Sequence, residues 1–144
     1  MQGRGILRLE GRVKVWRNGQ LLHSGRNLIV TDGLELLAQL IGSSATKPSH
    51  MAMGGDSAQP TDSQSDLQGS EFERVAVSTS VSGREVSYSA SFGSGLSSTQ
   101  TIQEFGIFND ATAGTMLARF VTPRIKLQPG ESLDVDWTLV VGGN

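Results

Sequence analysis

Glu104-Phe105-Gly106-Ile107-Phe108-Asn109-Asp110, Gly114-Thr115-Met116-Leu117-Ala118-Arg119-Phe120 and Pro129-Gly130-Glu131-Ser132-Leu133-Asp134-Val135-Asp136-Trp137-Thr138-Leu139 follow one another late in the chain. They read as three short apolar strands separated by a polar turn and a Pro-Gly turn. Asn109 to Gly114 is a run of small, turn-forming residues, which suits a tight reversal. Pro129-Gly130 fits the centre of a type II turn, because proline fixes φ and glycine accepts a positive φ. No residue in the three strands belongs to a reactive set. The segment reads as a β-meander built for shape, which points to an interaction or structural protein before an enzyme.

The same logic extends toward the amino end. Leu7, Leu9, Val13 and Val15 alternate with Arg8, Glu10, Arg12 and Lys14, the period of a half-buried strand. Asn18-Gly19 is a strong hairpin signal, since a type I′ turn needs positive φ at both central residues. Return strands are expected at Leu21 to His23 and Leu28 to Val30. One helix is expected at about 32–41. Asp32 would cap it with Glu35 three residues on as a capping box, Leu34, Leu37, Ala38 and Ile41 would form its apolar face against a sheet, and Gly42 would stop it.

His50 to Met53 reads as a strand. Residues 54–70 are rich in Gly, Asp, Ser, Gln and Pro, and a loop this long in a small domain is functional or mobile. Further strands are expected at about 74–79 and 85–92, joined at Ser82-Gly83, then at 101–108, 116–122 and 133–141. Eight or so strands with one short helix predict a mainly β fold. It would be an antiparallel β-sandwich or jelly-roll-like barrel, in a single domain with an extended amino-terminal segment over residues 1–5.

Composition narrows the function classes. Charged residues make up 18% of the 144 and the net charge is -2, below the usual quarter and without the basic stripe of a nucleic-acid binder. There are no cysteines, which removes disulfides and thiolate metal sites. No signal-peptide core and no stretch long enough to span a bilayer is present. The expectation is a soluble protein made in a cytoplasm, with no nucleic-acid and no membrane partner.

Reactive chemistry is sparse. His23 and His50 are the two histidines and lie at no metal-ligand spacing. Asp134 and Asp136 share one strand face, as do Glu71 and Glu73. Such pairs can hold a cation, but alternation with Leu133, Val135 and Trp137 reads as an ordinary solvated face. Neither Gly54-Gly55-Asp56-Ser57 nor Gly93-Ser94-Gly95 matches a phosphate-binding loop, and no nucleophile elbow is present. Catalytic residues, cofactors and metal ligands are therefore all read as none. Trp16 stands on the charged face of the first strand, beside the Asn-Gly turn, where it suits an interface anchor or a sugar-stacking surface.

The order of motifs carries more than any one of them. Asn27-Leu28-Ile29-Val30-Thr31-Asp32-Gly33-Leu34 opens the helix, and Ser49-His50-Met51-Ala52-Met53-Gly54 follows. Pro60-Thr61-Asp62, Leu67, Glu71 and Arg74 come next, and the chain closes with Glu104-Phe105-Gly106-Ile107-Phe108-Asn109 and Met116-Leu117-Ala118-Arg119. This succession, over roughly residues 26–141, resembles a family of small virion structural proteins of tailed bacteriophages. Related patterns occur at the amino ends of phage tail and collar fibres. Met53-Gly54-Gly55-Asp56 departs from the family's commoner Gly-Thr-Gly-Thr.

The resemblance implies no catalysis and no cofactor. It implies a virion location, with the major capsid protein or other virion subunits as partners. The expected role is a capsid decoration (cement) protein, because the chain shows no shaft of repeats, no heptads and no receptor-binding tip. The alternatives are a small tail, collar, baseplate or fibre-associated component, and a carbohydrate-binding module. A homodimer or homotrimer is expected from the apolar residues around Phe105 and Phe108. Arg4, Trp16, Arg17, Asn18, Asp56 and Pro60 complete the candidate interface.

Overall fold

The computed structural model describes residues 7–143. Sheet A contains β1 (Leu7–Arg17), β2 (Gln20–Arg26), β6 (Ser78–Ser82), β7 (Glu85–Phe92) and β10 (Leu133–Gly143), in the order β2-β1-β10-β7-β6. Sheet B contains β3 (Leu28–Ile29), β4 (His50–Gly54), β5 (Glu71–Ala76), β8 (Gln100–Phe108) and β9 (Met116–Leu127), in the order β3-β9-β8-β4-β5. Every ladder is antiparallel. No ladder joins the two sheets, so of the two expected architectures the fold is the sandwich. The one helix among the described residues, α1 (Thr31–Gly42), packs against β9.

The core follows from alternation. Val13 and Val15 of β1, Tyr88, Ala90 and Phe92 of β7, and Val135, Trp137 and Leu139 of β10 point inward from sheet A. Met51, Met53, Phe105, Ile107 and Phe120 meet them from sheet B. Two aromatic pairs cross between the sheets. Phe92 and Phe105 have ring centroids 5.7 Å apart, and Phe120 meets Trp137 edge-on at 6.4 Å. Such pairs contribute about 0.5–1.5 kcal/mol beyond the area they bury.

Turn chemistry acts where the sequence places it. Asn18 and Gly19 have φ of 51° and 77°, as a type I′ hairpin requires. Gly130 has φ of 91° and the Glu131 amide donates to the Gln128 carbonyl at 3.0 Å. The 109–114 reversal is closed by the Asn109 amide on Thr115 O and by the Thr115 amide on Asn109 Oδ1. One turn shifts by a residue: Ser82 pairs with Glu85, so Gly83-Arg84 forms the β6–β7 turn.

Three expectations are corrected. The strand expected at 74–79 is two strands, because the chain leaves sheet B after Ala76 and joins sheet A at Ser78, while the Val77 amide donates to Ser49 O. With that division the described residues hold ten strands, against the eight or so expected. The capping box does not form: Val30 is the N-cap and no side chain caps it. The helix start is held by main chain, with the Val30 amide on Leu117 O and the Thr31 amide on Asp62 O.

The third correction is the apolar face of α1. Gly33 and Leu36 are buried, while Leu34 is 51% and Ile41 84% exposed. The cause is Gly33. A Cβ there would overlap the Leu117 carbonyl oxygen, so only glycine lets the helix lie this close to β9. That contact turns Gly33 and Leu36 inward; of the expected face Leu37 packs against the core, while Leu34, Ala38 and Ile41 point outward.

Tyr88 is the only tyrosine of the chain, and burial raises its phenol above the ordinary tyrosine value. A raised folded-state value means that the unfolded chain releases this proton first. The stability it carries is full below the ordinary value and is lost as pH climbs through the folded value. Phenolate ultraviolet absorbance should therefore appear at higher pH in native protein than in denatured protein, with resistance to denaturant falling as pH rises past about 10. Coincident titration curves would contradict this burial.

Candidate functional site

Glu104 is the one charged residue of β8, and a backbone irregularity aims it. Ile102, Phe105 and Ile107 all join the core, which strict alternation forbids. The ladder shifts between Ile102 and Glu104 on β8, opposite Thr122-Pro123-Arg124 on β9. Pro123 has no amide to donate, a common reason for a bulge. The shift changes the phase of both strands and turns Glu104 to the outer side of sheet B.

There Glu104 meets Arg119, also fully buried, with Nε–Oε1 at 2.9 Å. The pair organises the 54–70 loop. Glu104 Oε2 accepts from the Asp56 amide at 2.9 Å and the Gly69 amide at 2.8 Å, and Oε1 accepts from the Gln68 amide at 2.9 Å. Arg119 donates to the carbonyls of Ala58 at 2.7 Å and Asp56 at 3.1 Å, and to Gln64 Oε1 at 3.3 Å. The loop expected to be mobile is thus tied at both ends to one ion pair. It seals a small second core of Val30, Ala52, Leu67, Phe108 and Met116 over sheet B.

Neighbouring charges do similar work. Arg74 holds Glu71 at 2.7 Å, lies 3.9 Å over the Phe108 ring and donates to the carbonyls of Asp110 and Ala113. Glu73 accepts from the amides of Gly93 at 2.7 Å and Gly95 at 3.0 Å. Asp134 and Asp136 accept from Ser91 and Ser89 across the ladder. Among the described residues, no group of three or more His, Cys, Asp or Glu is placed to hold a metal. His23 lies on sheet A, whereas His50 sits on sheet B beside the Ser49 hydroxyl. No described helix is long and apolar enough to cross a membrane.

The expected interface residues scatter. Phe105 and Phe108 are buried at 0% and 1% exposure, so they cannot form the dimer or trimer contact expected of them. β8 is covered on one side by sheet A and on the other by the loop. Arg17 is spent internally on the Lys126 carbonyl at 2.6 Å, and Asp56 belongs to the loop anchor. Asn18 is exposed at its turn and Pro60 half-buried. Arg4, with the rest of residues 1–6, lies outside the described residues.

Two surfaces present themselves outward instead. One is the α1 stripe of Leu34, Ala38 and Ile41, all exposed and at helical spacing. A groove lined by Leu9, Gly11, Asn27, Ile29 and Leu34 runs beside it. The other is the polar outer face of sheet A, where Trp16 borders a trough of about 410 Å³ with Arg12, Lys14, Glu85, Ser89 and Asp136. Comparison with known protein families, with curated proteins and with solved structures finds no match.

The ion pair has a measurable signature. Glu104→Ala strands a buried guanidinium, and Arg119→Ala strands a buried carboxylate, so each should cost about 3–5 kcal/mol in denaturant unfolding. Glu104→Ala with Arg119→Ala removes both charges and should cost less than the two single losses combined. Additive single and double losses would show that the two groups do not act as a unit.

Proposed function

We propose that the protein is a virion structural protein of a tailed bacteriophage, a capsid decoration protein that binds the assembled head shell. The observation that carries this reading is α1. Leu34, Leu36, Leu37, Ala38, Leu40 and Ile41 give it one apolar arc broader than the side that packs on β9, with Thr31, Asp32, Glu35 and Gln39 together on the polar side, and Leu34 and Ile41 of that arc face outward. The apolar side of a surface helix is normally turned toward a core, so the part of the arc left outside fits a partner surface. The order of motifs along residues 26–141 supports a virion subunit as that partner. Ion pairs and main-chain bonds consolidate the loops around the sandwich, which gives the stripe a rigid backing.

Binding to the assembled shell and not to free subunits stabilises the shell by linkage, and many copies act together. Particles lacking the protein should assemble but rupture earlier on heating. A small tail, collar or baseplate component remains the second reading, since the same motif order serves both locations.

Ile41→Lys and Leu34→Lys alter exposed positions and should leave the circular dichroism spectrum unchanged. Burial of one such side chain is worth about 1.5–3 kcal/mol, so occupancy on undecorated shells should fall by about tenfold or more per substitution. Binding that is unaffected by both substitutions, or protein found on tails and absent from heads by cryo-electron microscopy, would overturn the decoration reading.

A further inference from the structure

The outer face of sheet A is polar and concave, and lies apart from the α1 stripe. Its three central strands are in register, so their outward side chains form rows. Arg12, Thr138 and Ser87 make one row; Lys14, Asp136 and Ser89 the next; Trp16, Asp134 and Ser91 the third. Each row starts with a long side chain on β1 and falls to a serine on β7. The result is a trough with Trp16, Lys14 and Arg12 as one wall, hydroxyls as the floor and Glu85 at the far side. A second concavity shares Ser89 and Asp136 and runs on to Ser78 of β6.

We propose that this trough binds a neutral oligosaccharide. Three observations converge on that chemistry. First, the charges lining the trough balance, with Arg12 and Lys14 against Glu85 and Asp136. An anion would meet the two carboxylates and a cation would meet the two bases, whereas a polyol uses donors and acceptors together. Second, the half-buried Trp16 supplies the only aromatic wall, suited to the C–H face of a sugar ring. Third, the floor is polar and made of small residues. An apolar partner would desolvate it without compensation, while sugar hydroxyls replace the water it binds.

The trough of about 410 Å³ is an open surface groove, shaped to hold one face of an extended ligand. The adjoining concavity adds about 290 Å³ along the same floor. Together they fit several consecutive sugar units better than one. The chain direction of such a ligand runs across the strands, from Trp16 toward β6.

The test uses the full chain with maltotriose, cellotriose and chitotriose, each titrated while amide shifts and tryptophan emission are followed. Trp137 is fully buried, so a change in emission reports Trp16. At least one trisaccharide should give saturable shifts confined to residues 12–16, 85–91 and 134–138. Trp16→Ala should weaken binding by about tenfold, the equivalent of about 1.4 kcal/mol. Ser89→Arg fills the floor, leaves Trp16 in place and should abolish binding, so loss in both variants with intact circular dichroism supports the site.

The matching polysaccharides form a second arm. Capture on them as well as on the trisaccharide assigns an internal chain segment, and binding of the free trisaccharide alone assigns a chain end. No shift with any of the three sugars, or shifts unchanged in both variants, would overturn the proposal. A sulfated oligosaccharide that binds more tightly and is displaced by salt would overturn the neutral class. None of these outcomes depends on shell binding through α1.

Discussion

Glu104 and Arg119 meet at 2.9 Å on the outer side of sheet B with no exposure to solvent, and the layer above that sheet depends on them. Removing two charges from water costs several kcal/mol per ion unless every remaining donor and acceptor is used. Here both carboxylate oxygens accept main-chain amides, and both terminal nitrogens of the guanidinium donate to loop acceptors. The pair therefore acts less as an isolated bond than as a template. It supplies to a loop without strands the hydrogen-bond partners that a neighbouring strand would otherwise provide.

That constraint decides which surfaces face outward. With the 54–70 loop fixed over β8 and β4, Phe108, Met116 and Leu67 are enclosed. α1 then completes the cover at β9 through the close approach allowed by Gly33. The centre of sheet B, β4 with most of β8 and the first half of β9, is buried on both faces, while its edge strand β5 stays partly exposed. Sheet A keeps the polar face expected of an antiparallel sheet with one side in water. The molecule is left with an apolar helix stripe on one side and a tryptophan-edged polar trough on the other.

The legible parts of the fold were those set by local rules. Period-two alternation located β1, β7 and β10, and the Asn18-Gly19 and Pro129-Gly130 turns took the expected geometry. Parts that depend on distant partners were misread. The capping box at Asp32 lost to main-chain bonds from Leu117 and Asp62, which no window of sequence contains. Leu34 and Ile41 looked like part of the core face because the apolar arc of α1 is broad, and the close approach at Gly33 decides which part of it turns inward. Phe105 and Phe108 looked like contact residues because a strand covered on both sides is apolar on both sides. Glu104 and Arg119 were visible as charges inside apolar strands. Their pairing was hidden by the bulge that changes strand phase at Gln103, and their role was hidden by a polar loop that resembles disorder.

The most direct test of this account is hydrogen exchange in Glu104→Gln, which keeps the shape of the side chain while removing its charge. Replacing one carboxylate oxygen by an amide nitrogen sets a donor against main-chain donors. The amides of Asp56, Gln68 and Gly69 should then exchange at least about tenfold faster, the equivalent of about 1.4 kcal/mol of local opening. The amides of β1, β7 and β10 should keep their protection. Loop amides as slow as in the unaltered protein would show that the loop is held by something other than this ion pair, and would contradict the account.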